Sequence, residues 1–266
     1  MTEELLQKAL QAVKKGQSCA FATIIESTPK GTPRKTGAKM VVMDDGALFG
    51  TIGGGRNEKA AQAECLKAIK TGKPTYVTYN YFGKEGQSIC GGQIKVFIEP
   101  FAGKKHFIIC GAGHIALPLS ALGKILNFKV TIIDDRKAFA NKKRFPHVDV
   151  ILLGNHAQKL KTIPINSNTI VAIVTQGNEY DYECLKVAIG TKASYIGVIS
   201  SEVKRIKFFR RLKEKGVSPK ALARVYAPMG LNIGSQTPEE IAVSIIAQII
   251  ALNSNTYGDS LKFLPI

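Results

Sequence analysis

The chain has 266 residues, 45% apolar and 21% charged, with a formal net charge of +17. That balance excludes an intrinsically disordered chain and leaves room for two domains. The longest apolar run, residues 241–252, is interrupted by Ser244 and Gln248 and is shorter than the roughly 20 residues that span a bilayer.

Residues 3–15 predict an opening helix from the spacing of Leu6, Ala9, Leu10 and Val13, with Gly16 closing it. They lack the apolar core of an export signal, so the expected location is the cytoplasm. Residues 18–26 predict a strand. Pro29, Gly31 and Pro33 make the next segment a loop. Residues 39–43 and 47–51 predict two strands around the Asp44-Asp45-Gly46 turn. Gly53-Gly54-Gly55 then breaks the chain before a helix at 57–70. Strands follow at 74–80 and 93–99, and residues 100–105 read as a linker.

The second half opens on a βαβ pattern. His106 to Cys110 is a short apolar strand, Gly111-Ala112-Gly113-His114-Ile115-Ala116 turns into a helix, and Lys129 to Asp134 is a second strand ending in acid. In a G-x-G-x-x-G/A turn the first glycine permits the bend, the second allows a phosphate to approach, and Ala116 lets helix and strand pack. Free N–H groups at the helix start favour an anion, and Asp134 stands where an acid would hold a ribose. Further strands at 148–153, 169–175 and 195–199 alternate with helical segments, which predicts right-handed crossovers and a parallel sheet. Residues 204–215 predict an amphipathic basic helix resting on Val203, Ile206, Phe209 and Leu212. That reading is preferred to a nucleic-acid helix, because the basic residues are dispersed and no zinc-finger, RRM or KH pattern accompanies them. Thr237, Pro238 and Glu240 form a capping box for a last helix.

Three glycine clusters carry the candidate chemistry. Gly53, Gly54 and Gly55 before a helix form either a nest of N–H groups for a phosphate or pterin, with Arg56 adding charge, or simply a tight connection. Glu58 reads as a helix-dipole partner first and a ligand contact second. Cys90-Gly91-Gly92 either presents a thiol in an exposed turn or places a cysteine at the start of a strand. Gly111, Gly113 and Asp134 form the nucleotide pattern, and His114 either touches a phosphate or is a polar helix residue. Cys110 reads as packing. The scattered cysteines form neither a zinc motif nor a disulfide framework, so no metal ligand is assigned, and no catalytic triad is visible.

Taken in order, these pieces resemble the XdhC/CoxI accessory proteins of molybdenum hydroxylases. The matching pieces are Pro33-Arg34-Lys35-Thr36-Gly37-Ala38, Gly50 to Gly55 with Glu58, Cys90-Gly91-Gly92, Gly111-Ala112-Gly113-His114, Tyr195-Ile196-Gly197, and Pro228 to Gly234 with Thr237 to Glu240. Arg56 stands where some members carry cysteine. The resemblance implies an α/β fold, with a small N-terminal α/β domain at 1–101 and a C-terminal Rossmann-like parallel-sheet domain at 102–266. It further implies a homodimeric, non-enzymatic chaperone that binds molybdenum cofactor (molybdopterin) as cargo. Such a chaperone would assist sulfuration by a cysteine desulfurase and insertion into a hydroxylase such as xanthine dehydrogenase. In that reading Gly53, Gly54, Gly55, Arg56, Glu58, Cys90, Gly91 and Gly92 contact the cofactor. Gly111, Gly113, His114 and Asp134 would hold a nucleotide or the phosphate end of a nucleotide-linked pterin. The alternative is an NAD(P)-dependent oxidoreductase using the Rossmann turn.

Overall fold

The computed structural model describes residues 2–81 and 92–253. The chain divides into two compact units, Met1–Lys104 and Lys105–Ile266.

The first unit is a five-stranded antiparallel sheet with a helix on each face. Its elements are α1 (Thr2–Lys14), β1 (Cys19–Ser27), β2 (Lys39–Met43), β3 (Leu48–Gly50), α2 (Gly55–Thr71), β4 (Thr75–Asn80) and β5 (Gln93–Phe101). The strand order is β3-β2-β1-β5-β4. Alternate residues of a strand point to opposite faces, so the two faces separate cleanly. Cys19, Val41 and Met43 pack with Leu5, Ala9 and Ala12 of α1. Ala20, Ala22, Ile24, Met40 and Val42 pack with Ala61, Cys65 and Ala68 of α2. This accounts for the continuous apolar run of β2, which is covered from both sides. The expected linker at 100–105 is shorter than read, because Pro100 and Phe101 pair with Ala20 and Cys19 as the end of β5.

The second unit contains β6 (His106–Cys110), α3 (Ala116–Ile125), β7 (Lys129–Asp134), β8 (Val150–Leu153), α4 (His156–Lys161), β9 (Thr169–Ile173) and α5 (Asn178–Ile189). It continues with β10 (Tyr195–Val198), α6 (Glu202–Glu214), α7 (Pro219–Leu222), β11 (Val225–Tyr226) and α8 (Pro238–Asn253). All strands pair in parallel, in the order β11-β10-β9-β6-β7-β8. Counted from β6, that is the doubly wound order of a dinucleotide-binding fold, with its topological switch between β6 and β9. Residues of α3 and α8 cover one face of the sheet, and residues of α5 and α6 cover the other. The capping box of α8 forms as read: Glu240 N donates to Thr237 Oγ1, and Glu240 Oε2 accepts from Thr237 N and Gln236 N.

One helix sits differently from its sequence reading. In α6 Leu212 is buried and Phe209 packs against the core as read, whereas Val203 and Ile206 are 63% and 48% exposed and Phe208 is buried instead. The apolar residues of this helix fall in two stripes, and the sheet takes the one containing Phe208.

His106 links burial to acid sensitivity. Its Nε2 lies 2.8 Å from Thr131 Oγ1. Burial, aided by Lys129 and opposed by Asp149, pushes its pKa down from 6.5 to about 4. The unfolded chain therefore binds the extra proton first, so folded stability falls as the pH drops from about 6.5 to about 4 and levels off below. Urea unfolding at stepped pH should show this slope for wild type and a flatter one for His106→Gln. Identical slopes would remove His106 as the source.

Candidate functional site

In the first unit, three sequence motifs meet at the N-terminus of α2. The glycines of the turn have φ of +132° (Gly53), +75° (Gly54) and +68° (Gly55), conformations that side chains resist. Gly53 is pressed between two neighbours, since a Cβ there would lie 2.6 Å from Pro33 and 2.7 Å from the Tyr81 hydroxyl. Gly92 lies against the backbone of Gly31 and the side chain of Thr32. Its carbonyl accepts from Tyr81 N at 2.7 Å. The proline-glycine loop, the triple glycine and Gly92 thus share one locality. Cys90 and Gly91 lie outside the described residues.

Glu58 organises this turn. Its Oε2 accepts from Thr51 Oγ1 at 2.5 Å, Ile52 N at 3.1 Å and Gly54 N at 3.2 Å. One oxygen is therefore spent on holding the loop, the dipole-side role preferred from the sequence. A helix start leaves its first N–H groups without internal partners; Gly54 N is satisfied by Glu58, and those of Gly55, Arg56 and Asn57 have no partner among the described residues. Arg56 is exposed, and a Cβ at Gly54 or Gly55 would meet none of the described residues within 4 Å. Among the described residues the turn is thus an open, N–H-lined cradle beside a cation, which suits an anionic group.

In the second unit the two glycines of the Rossmann turn do different work. Gly111 has φ +117°, and a Cβ would run into the backbone of Val174 at the end of β9. It permits close strand approach more than it serves a ligand. Gly113 has open space around it, His114 is exposed, and Ala116 is fully buried at the start of α3. No side chain caps α3. Cys110 is buried, and its hydrogen bond to Cys184, together with burial, drives the Cys184 thiol far above its usual pKa. That is packing chemistry.

Asp134 departs from its expected role as a ribose ligand. It is 0% exposed. Its Oδ1 accepts from Arg136 N and Nε, both at 2.9 Å, and its Oδ2 accepts from Ala112 N and Arg136 Nη2, both at 2.7 Å. Two donors on each oxygen leave no lone pair for a sugar hydroxyl. Burial alone would raise its pKa. The Arg136 guanidinium, the nearby His156 and the N–H groups of Arg136 and Ala112 outweigh it and hold the carboxyl far below the usual range. Asp134 therefore pins the glycine turn to the end of β7.

Sequence reasoning paired Asp135 with Asp134 as a ribose-side acid and missed His156; Asp135 and His156 both stand beside this knot. His156 follows Asn155, the cap of α4, and no spacing in the sequence links it to Asp134. Among the described residues, Asp134, Asp135 and His156 are the group of carboxylates and imidazole close enough to share an ion. No described helix is long and apolar enough to cross a membrane.

A glycine-turn antiparallel domain followed in the chain by a doubly wound sheet defines a two-part α/β protein. Residues 107–249 match the XdhC Rossmann domain, and residues 12–80 match the XdhC and CoxI family. The chain belongs to the XdhC and CoxI family. Among curated relatives, it is 32% identical to the uncharacterized protein YqeB of Escherichia coli (strain K12), over 91% of this chain and 45% of YqeB. It is 29% identical to a probable xanthine dehydrogenase subunit of Bacillus subtilis (strain 168), over 58% of this chain and 45% of that protein. It is 20% identical to the molybdenum cofactor insertion chaperone PaoD of Escherichia coli (strain K12), over 96% of this chain and 90% of PaoD. The chain thus spans under half the length of the first two relatives.

Proposed function

We propose that this chain is a cytoplasmic, homodimeric accessory protein that binds molybdenum cofactor. It would hand the sulfurated cofactor to a xanthine dehydrogenase-type hydroxylase after a cysteine desulfurase has supplied the sulfur. The observation that carries this reading is the open cradle formed by Gly54, Gly55 and the N-terminus of α2, with Arg56 beside it. Supporting it are the family and the likeness to PaoD, a molybdenum cofactor insertion chaperone, along nearly the whole of both chains. The cradle binds by N–H donation and charge, while Glu58 keeps it pre-formed; a pre-formed site loses less ordering entropy on binding. The cofactor supplies all of the metal chemistry. The residues of this chain hold its anionic end, with Gly91, Gly92 and the Cys90 thiol as further contacts. The Gly113 and His114 turn would take the nucleotide end of a nucleotide-linked pterin. An NAD(P) oxidoreductase is the weaker reading, since the acid that would select the ribose is already saturated by Arg136 and Ala112.

The test is anaerobic titration of molybdenum cofactor into the full chain, with NAD and NADP in parallel. Saturable cofactor binding is expected for wild type. Gly54→Val and Arg56→Ala should each weaken it by about tenfold or more, which is about 1.4 kcal/mol. Arg56→Ala leaves the backbone of the turn alone, so its loss would not reflect misfolding. No saturable binding by wild type, or dinucleotide binding alone, would overturn the reading.

A further inference from the structure

At the carboxyl ends of β7 and β8, the His156 side chain and one oxygen of the partly exposed Asp135 are buried without hydrogen-bond partners. His156 is 1% exposed at its side chain, and neither ring nitrogen makes a hydrogen bond. The closest acid contact of its Nε2 is Asp134 Oδ2 at 3.7 Å, too far for a hydrogen bond. Asp135 Oδ1 is likewise buried and unpartnered. Leaving such groups unsatisfied forfeits their hydration without replacement, so a protein that retains both calls for a partner. Taking one ligand atom from each residue, Asp134, Asp135 and His156 lie within 4.8 Å of one another. Two metal–ligand bonds of about 2.1 Å reach about 4.2 Å, close to that spacing.

We propose that Asp135 and His156 bind a divalent transition-metal ion of the zinc and cobalt class. The imidazole selects such an ion over magnesium or calcium, which prefer all-oxygen sites. Asp134 acts as a positioning residue, because its four donors already fill it. Its charge is matched by Arg136, whose guanidinium bonds both of its oxygens. The site therefore keeps the one negative charge of Asp135 to offset the cation. Two protein ligands leave coordination positions open to water or to an oxyanion, as ligand-binding rather than purely structural metal sites do. Tyr180 lies tilted against the His156 ring, with centroids 5.2 Å apart, and also lines a cavity of about 650 Å³ with Asn155, Gln158 and Glu179. A ligand-sized space thus lies beside the residue that covers the imidazole. The Rossmann turn is joined to the same group through the Ala112 N bond to Asp134.

The experiment uses the full chain in a Cys90→Ala background, so that this thiol contributes no ligand. After chelator treatment, Co²⁺ is titrated with calorimetry and visible absorption, followed by displacement with Zn²⁺. One equivalent of Co²⁺ with a d–d spectrum is expected, together with a rise in the unfolding midpoint. Asp135→Asn and His156→Gln should each weaken that equivalent at least about tenfold and abolish the midpoint rise. Urea unfolding without metal checks that each variant is folded, and either folded variant suffices for the test. The absence of a Co²⁺ equivalent in the parent would overturn the proposal. So would a folded variant that binds Co²⁺ as the parent does.

Discussion

Gly111→Ala is expected to destabilise the C-terminal unit by about 2–6 kcal/mol, combining a backbone penalty of about 1–3 kcal/mol with overpacking of about 1–3 kcal/mol. The backbone at Gly111 has φ +117°, so alanine is strained there whatever space it finds. It also finds none: a Cβ would lie 2.7 Å from the carbonyl carbon of Val174 and 3.0 Å from Thr175 N. Neither strand can yield easily. Gly111 N donates to Ile133 O at 2.7 Å, and Val174 N donates to Cys110 O at 2.8 Å. Gly113→Ala is the internal control, because nothing lies within 4 Å of its Cβ position and its φ is unremarkable. It should stay within about 1 kcal/mol of wild type, the usual scale of such a change outside strained sites. Urea unfolding followed by probes in each unit separates the two cases, since two units need not unfold as one. Gly111→Ala unfolding at the wild-type midpoint would mean that the contact between β6 and β9 is looser than the geometry indicates.

The same pair of glycines marks what the sequence could and could not reveal. The β6-turn-α3-β7 order was legible because strand, glycine and helix signals are local and stand in fixed sequence. The capping box at Thr237 and Glu240 was legible for the same reason. The partition of roles was not, since it depends on Val174, 63 residues beyond Gly111, coming alongside it. Asp134 was recognised as a strand-ending acid, but its partners became identifiable only once β7 lay beside β6. His156 gave no signal, because an isolated histidine after a capping asparagine has no periodicity to betray it. The antiparallel pairing of the first unit was open for a similar reason. β2 is covered on both faces, so its pattern is a continuous apolar run rather than an alternation. In α6 Leu212 was legible, and only packing against α5 and the sheet chose Phe208 over Val203 and Ile206.

Asp134→Ala should destabilise the C-terminal unit by about 3 kcal/mol. It leaves Ala112 N and the Arg136 guanidinium without their acceptor, and breaking a buried pair on one side costs about 3–5 kcal/mol. Arg136 is 27% exposed at its side chain, so water partly rescues it and the lower end applies. Arg136 also stacks on Phe139 at 4.1 Å, and Arg144 Nη1 donates to Ala112 O at 3.1 Å. The damage should therefore spread to the glycine turn and not stop at one ion pair. Asp134→Asn keeps an oxygen for Ala112 N but loses the charge and should fall between alanine and wild type. The pH dependence separates this knot from His106. The folded pKa of Asp134 is depressed below its ordinary 3.8, so its stabilisation is fully present above the unfolded value and is lost only as pH falls below about 4. Wild type should therefore lose stability in two windows, one between about 6.5 and 4 from His106 and one below about 4 that Asp134→Asn removes. A variant that retained the whole of the lower window would assign it to other carboxylates.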